Sequence, residues 1–275
     1  MDSHADLDLK TSFSVARLMA DLLSALRFYS RLPGPTFGFE GDPHRVPDFR
    51  SLPRILPLAG FLIALPSALI LLLAGGVGLS SLPLAALAVA TLVITTGAMA
   101  EDGFSDVADG FFGGSTKERR LEIMVDSRVG AFGVSALVLA LILRVASLGA
   151  LNDHQGLVAA SASLLAAGVL SRVAGVLPLV FLPPARPGGK SASVGRPGVI
   201  VTTIAVIGAL SLGALCLFIG GVSPRMISVA LLLGLASAFP VMVLAQAKIG
   251  GQTGDVAGAT QQVAEIVVLL VLSVA

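Results

Sequence analysis

Three features of this sequence make it an all-α protein, a polytopic integral membrane helical bundle. Of its 275 residues, 55% are hydrophobic and only 13% are charged, about half the charged share of a soluble domain; the mean hydropathy is +0.92. Several apolar stretches reach the roughly 20 residues that a helix needs to cross the hydrocarbon core. The Lys and Arg residues, finally, are spread very unevenly over the connecting segments.

The elements follow in order. Met1 to Lys10 is polar and acidic and does not read as a cleavable signal peptide. From Ser14 to Arg31, Val15, Leu18, Met19, Leu22, Leu23 and Leu26 recur at helical spacing, with Arg17, Asp21 and Arg27 elsewhere. That pattern predicts an N-terminal amphipathic interfacial helix. Pro33 to Pro53 is rich in Pro, Gly and charge and reads as a loop. About seven transmembrane segments follow, over 55–75, 79–100, 130–151, 157–182, 199–221, 226–247 and 259–275. The last carries Gln261, Gln262 and Glu265, so partial spanning or re-entry stays open for it. The organisation expected is a cytoplasmic N-terminal segment, 1–54, followed by one transmembrane catalytic domain, 55–275. No internal repeat is visible.

Topology follows from the basic residues. Fifteen of the Lys and Arg residues fall in 1–54 and in the 101–129, 183–198 and 248–258 connections, whereas the opposite side has only Arg225. This places the N-terminus and those three connections in the cytoplasm, and the chain in the cytoplasmic (inner) membrane with its polar motifs on the cytoplasmic face. Cys216 is the one cysteine, which excludes an intrachain disulfide and a cysteine metal site. It reads as an apolar packing residue. His4, His44 and His154 are scattered and make no metal triad. The net charge is +1, and no nucleic-acid partner is expected; homo-oligomerisation stays open.

Chemistry concentrates in two motifs. The first runs Glu101-Asp102-Gly103-Phe104-Ser105-Asp106-Val107-Ala108-Asp109-Gly110. On a helix, Asp102, Asp106 and Asp109 share one face. Carboxylates that close either rise in pKa or are neutralised by a cation, and Mg²⁺ is the usual cation where phosphates are handled. Gly113-Gly114 then breaks the helix, and Ser115-Thr116-Lys117-Glu118 reads as a capping box for the next one. That helix leads to Asp126-Ser127-Arg128, where Asp126 can return to the carboxylates and Arg128 can hold a phosphate. Glu101, Asp102, Asp106, Asp109 and Asp126 are the candidate metal ligands. Asp102, Asp106, Asp109 and Asp126 are the candidate catalytic groups. Glu118 and Glu122 read as capping and a wet helix face.

The second motif is Gly250-Gly251-Gln252-Thr253-Gly254-Asp255-Val256-Ala257-Gly258-Ala259. Its glycines allow close backbone approach to a ligand, and turns of this kind present N–H groups to anions. Gln252, Thr253 and Asp255 are candidate substrate contacts, as are Arg128 and Arg172. Arg172 lies inside an apolar span, where an unpaired cation is expensive. Arg144, nearer the external end of its span, reads as snorkelling.

At these motifs the chain resembles the cobalamin (5′-phosphate) synthase family, also called adenosylcobinamide-GDP ribazoletransferase. The resemblance rests on Glu101-Asp102-Gly103 through Asp109-Gly110, on Asp126-Ser127-Arg128 with Gly130 and Gly133, and on Gly251, Thr253-Gly254-Asp255 and Gly258-Ala259 with Glu265 downstream. Smaller echoes are Arg31-Leu32-Pro33, Pro57-Leu58-Ala59-Gly60, Arg172 and Arg186-Pro187. Gly188 to Arg196 aligns only loosely, and no family role is carried onto it.

The resemblance implies a reaction in which the ribose hydroxyl of α-ribazole, or of its 5′-phosphate, attacks the cobinamide-side phosphorus of adenosylcobinamide-GDP and expels GMP. It also implies Mg²⁺ as cofactor and a lipid bilayer as surroundings. A CDP-alcohol phosphotransferase also fits Asp106-Val107-Ala108-Asp109-Gly110, but the Ala-Arg pair and closing Asp-x-x-x-Asp of that pattern are absent. A secondary transporter should show two related halves around a central site. A membrane prenyltransferase should carry two Asp-rich clusters, whereas the second motif here has one aspartate.

Overall fold

The computed structural model describes residues 15–37, 42, 46–186, 188 and 194–274. Met1, His4, Lys10, Ser14, His44 and Pro187, which entered the reading above, lie outside them. Among the described residues the chain forms α1 (Val15–Tyr29), a 3-10 turn (Leu52–Ile55), α2 (Leu56–Gly76), α3 (Ser81–Thr96), α4 (Met99–Gly113), α5 (Lys117–Ile123) and α6 (Ala131–Ala174). It continues with α7 (Leu177–Phe181), α8 (Val199–Ile219), α9 (Pro224–Ala236), α10 (Ala238–Ile249) and α11 (Gly254–Leu272). The described residues hold no strand, only an isolated bridge between Pro184 and Gln252. The all-α expectation holds.

Five helical stretches among the described residues are long and apolar enough to cross a membrane, or six if α3 and α4 count as one bent span. Large side chains such as Ile94 at 74% exposure and Phe218 at 69% point outward. That suits a lipid-facing surface rather than a soluble one. Inside, small residues let backbones meet. A Cβ on Gly60 would sit 2.6 Å from the Gly168 carbonyl oxygen, and one on Gly213 would lie 3.1 Å from the Leu231 side chain.

Two breaks decide where the polar motifs go. The 51-residue stretch Ala131–Phe181 is interrupted at Gly156, whose φ of 85° and ψ of 173° leave the helical region; a side chain there would be strained. The first arm starts where the Gly130 and Gly133 amides donate to Asp109, and ends where Asn152 and Asp153 hydrogen-bond Ser81 at the start of α3. The second arm starts with Leu157 against Gly75 and ends with Gly175 against Ala257. Gln155, at the shared end, donates to the carbonyl of Leu272, the last residue of α11. The chain therefore reverses at Gly156, where the sequence reading separates 130–151 from 157–182.

The second break lies between α3 and α4. Gly97 (φ 63°) and Ala98 (φ 59°) are both left-handed, and the Ala98 and Gly97 amides donate to the Val93 and Ile94 carbonyls. This is a Schellman closure of the helix end. α4 then restarts 89° away from α3. The second apolar stretch thus ends at Thr96, not at residue 100. α4 carries four acidic residues, Glu101, Asp102, Asp106 and Asp109, within about two and a half turns.

α1 carries its apolar stripe as expected, but divides it. Leu23 is buried, and Leu22 and Leu26 pack on the protein core, whereas Val15 and Met19 are exposed. Asp21 forms an ion pair with Arg54 at 2.9 Å, joining α1 to the 3-10 turn. The start of α5 differs by one residue from the expected box: Thr116 is the N-cap and accepts from the Arg119 amide.

Candidate functional site

α4 and α11 cross at glycines. A Cβ on Gly103 would lie 3.0 Å from both Cα and O of Asp255, and one on Gly258 would lie 3.4 Å from Cα of Ala100. Backbone thus meets backbone, and the two motifs, about 150 residues apart in sequence, share one place. The start of α11 is fixed locally. Gln252 pairs with the 183–185 backbone through its amide to Pro183 O (2.8 Å) and its carbonyl from Ala185 N (2.9 Å). Thr253 then caps α11, accepting from the Val256 amide at 3.3 Å, and its hydroxyl donates to Asp255 Oδ2 at 3.2 Å. Gln252 is buried with its side-chain oxygen unpartnered among the described residues.

Beside this crossing lies a cavity of about 600 Å³. Asp102 and Asp255 give its wall two carboxylates, and Gly103, Gly254 and Gly258 give it bare backbone. Arg172 and Gln261 reach it from α6 and α11, while Phe28, Tyr29 and Phe49 form an aromatic side. Arg172 is 2% exposed, sits 5.8 Å from the centre of the Tyr29 ring, and has two guanidinium nitrogens without a hydrogen-bond partner among the described residues. Buried donors left in that state are costly unless a ligand or water meets them.

The predicted site residues separate into groups. Asp102 is exposed and Asp106 half-buried. Burial first, then the negative charges of Asp102, Asp255 and Asp109, push the Asp106 carboxyl up to about 7. Asp102, Asp255 and Asp109 are thus each within electrostatic reach of Asp106. Asp109 faces the other way: it is buried, and its oxygens accept from the Gly130 and Gly133 amides at 2.7 and 2.8 Å. Glu101 also faces α6, where its Oε1 lies 2.6 Å from Arg144 Nη1. Asp126 pairs at 2.6 Å with Arg128, which is 88% exposed and lies outside the cavity wall. The Arg128 side chain and amide hold the Asp126 carboxyl down at about 2.

Among the described residues no three His, Cys, Asp or Glu side chains are close enough to cage a metal. Mg²⁺ seldom asks for that; it takes one or two carboxylates and completes its shell with water and substrate phosphate. Asp102, Asp106 and Asp255 fit such a role, because no described cation is paired with them. Lys248 sits over the Phe112 ring at 5.7 Å, Arg120 donates to the Lys248 carbonyl, and Arg186 lies within electrostatic reach of Asp255.

A family model described as cobalamin-5-phosphate synthase matches residues 21–273. The chain belongs to that family. It is 47% identical over 256 residues to an adenosylcobinamide-GDP ribazoletransferase of Azorhizobium caulinodans, covering 93% of this chain and 96% of the relative. A relative of the same name from Xanthobacter autotrophicus is 47% identical over 263 residues, 92% and 96% of the two chains. One from Mesorhizobium japonicum is 43% identical over 270 residues, 96% of each. No solved structure matches the chain.

Three parts of this site were not foreseen. Phe28, Tyr29 and Phe49 come from the segment set apart as 1–54, yet they wall the cavity. The signal was there: Tyr29 is the one tyrosine of a chain with no tryptophan. Gln261 comes from the helix whose spanning was left open. Arg144 does not snorkel; at 1% exposure it is buried between Glu101 and Glu265.

Proposed function

We propose that this chain is a membrane-embedded adenosylcobinamide-GDP ribazoletransferase, with its active centre where Asp102 and Asp106 of α4 meet Asp255 of α11. The observation that carries the reading is the Gly103–Asp255 contact, which makes one carboxylate site from two distant motifs. The ribose hydroxyl of α-ribazole or its 5′-phosphate attacks the cobinamide-side phosphorus. A new O–P bond forms, the bond to the bridging oxygen breaks, and GMP carries that oxygen away. One carboxylate among Asp102, Asp106 and Asp255 accepts the hydroxyl proton. The remaining two would hold Mg²⁺, which would offset charge on the diphosphate. Asp109 fixes the α4–α6 junction, and Asp126 holds Arg128 in an exposed ion pair outside the cavity wall.

A cavity of this size encloses a ligand the size of a nucleoside, within the roughly 300–1,000 Å³ range of small-molecule sites; the corrinoid is far too large for it. We place the acceptor against Phe28, Tyr29 and Phe49, with Arg172 meeting its polar groups. The corrinoid stays outside, its diphosphate at the carboxylates. Asp255→Asn keeps the size and removes the charge, so kcat/KM should fall by about 10-fold or more, whereas Thr253→Ser keeps both the cap and the hydroxyl and should stay within about 3-fold. Steady-state kinetics on the two variants tests this. An unchanged kcat/KM in Asp255→Asn would take α11 out of the active centre.

In the membrane we assign seven crossings, with α1 at the interface and the site on the cytoplasmic side; the basic-residue asymmetry supports this. On a Cys216→Ser background, a cysteine at position 115 should resist impermeant maleimide in intact cells and react in inverted vesicles. A cysteine at position 79 should behave oppositely. Labelling of position 115 from outside intact cells would reverse the orientation.

A further inference from the structure

Arg144 Nη1 lies 2.6 Å from Glu101 on α4, and Nη2 lies 2.7 Å from Glu265 on α11. All three groups are buried, at 1%, 4% and 2% exposure. Such a triad needs a reason beyond stability. The desolvation of buried ions offsets much of their attraction, and replacing a buried triad by apolar groups is often neutral or stabilising. What this triad joins is specific. Glu101 is the neighbour of Asp102, and Glu265 is on the helix whose first turn holds Asp255. Both are held by one planar guanidinium, whose two nitrogens set a fixed spacing. The glycine contact sets how closely α4 and α11 approach on the cavity side; the guanidinium sets their spacing and rotation from behind.

We propose that Arg144 is a positioning residue for the transfer reaction, holding α4 and α11 in register through Glu101 and Glu265 so that Asp102, Asp106 and Asp255 face one substrate. The inference rests on the site proposed above. Arg144 itself touches no substrate, and it is absent from the cavity wall.

Arg144→Lys keeps the charge but offers one nitrogen where the fork offers two. It should fold, with kcat lowered about 10-fold to 10²-fold, the scale of a displacement approaching 1 Å, and with KM for both substrates within about 3-fold. The triple variant Glu101→Gln, Arg144→Met, Glu265→Gln removes the triad's own three charges together and leaves Arg172, which lies within electrostatic reach of Glu265 and Glu101, as the buried cation beside them. Whatever its melting temperature in detergent, the folded protein should keep a low kcat. A role in folding alone predicts the reverse for the folded triple variant, with kcat back at the parent's value, and that result overturns the proposal. So does an unchanged kcat in Arg144→Lys, or a loss confined to the KM of one substrate, which would mean direct contact. Failure of the parent protein to form product from the two substrates counts instead against the proposed function.

Discussion

Asp106→Ala is expected to lower kcat by at least about 10²-fold, the scale on which a positioned catalytic or charge-stabilising group contributes. Membrane insertion and thermal unfolding should stay near the parent's, because the Asp106 carboxyl is half-buried and packs no core. Stripping divalent cations with a chelator should stop turnover in the parent, and Mg²⁺ should restore it. Asp109→Ala separates two causes of loss. It too should lose activity, but it should also melt earlier, since it leaves the Gly130 and Gly133 amides without their acceptor. An unsatisfied buried donor costs about 1–3 kcal/mol. Product formation by mass spectrometry, beside melting curves in detergent, measures both. An Asp106→Ala enzyme near the parent's rate at saturating Mg²⁺ would dismiss the carboxylate mechanism.

Gly103→Val should be nearly as damaging without touching a charged group. Even a bare Cβ at this position stands 3.0 Å from the Asp255 backbone, and backbone does not rotate aside as a side-chain tip does. Overpacking of this kind typically costs about 1–3 kcal/mol. Here the strain relaxes by parting α4 from α11, and a displacement near 1 Å among reacting groups costs about 10²-fold in rate. Gly103→Ala should fall between the parent and Gly103→Val. Kinetics and melting of the pair give the answer. Full activity in Gly103→Val would mean that α4 and α11 need not touch for catalysis.

Much of this architecture was legible because its signals are local. The apolar runs that became α2, α8 and α11, the break after Gly113 and the helix that carries Asp102 and Asp106 all follow from composition and spacing. What escaped was set by partners distant in sequence. Glu101 and Asp102 are adjacent and chemically alike, yet one is buried against Arg144 and the other is exposed at the cavity. Only the packing of α4 against α6 and α11 makes that difference. Asp109 has the helical spacing of a ligand, but the Gly130 and Gly133 amides were there to receive it. The 89° turn at Gly97-Ala98 escaped for another reason: a left-handed alanine carries no compositional mark, and the hydropathy continues smoothly across it.

The placement of Tyr29 has an optical consequence. A chain with one tyrosine and no tryptophan has a single intrinsic emitter when excited near the red edge of protein absorption, and this one stands in the cavity wall beneath the Arg172 guanidinium. The protein thus carries its own reporter at the place where the acceptor is proposed to bind. A corrinoid docked at the cavity mouth would drain that emission by energy transfer, whereas one bound elsewhere on the bundle would leave more of it. Titrating the two substrates separately, before any turnover, would read out which of them approaches the cavity and in what order, with no label attached.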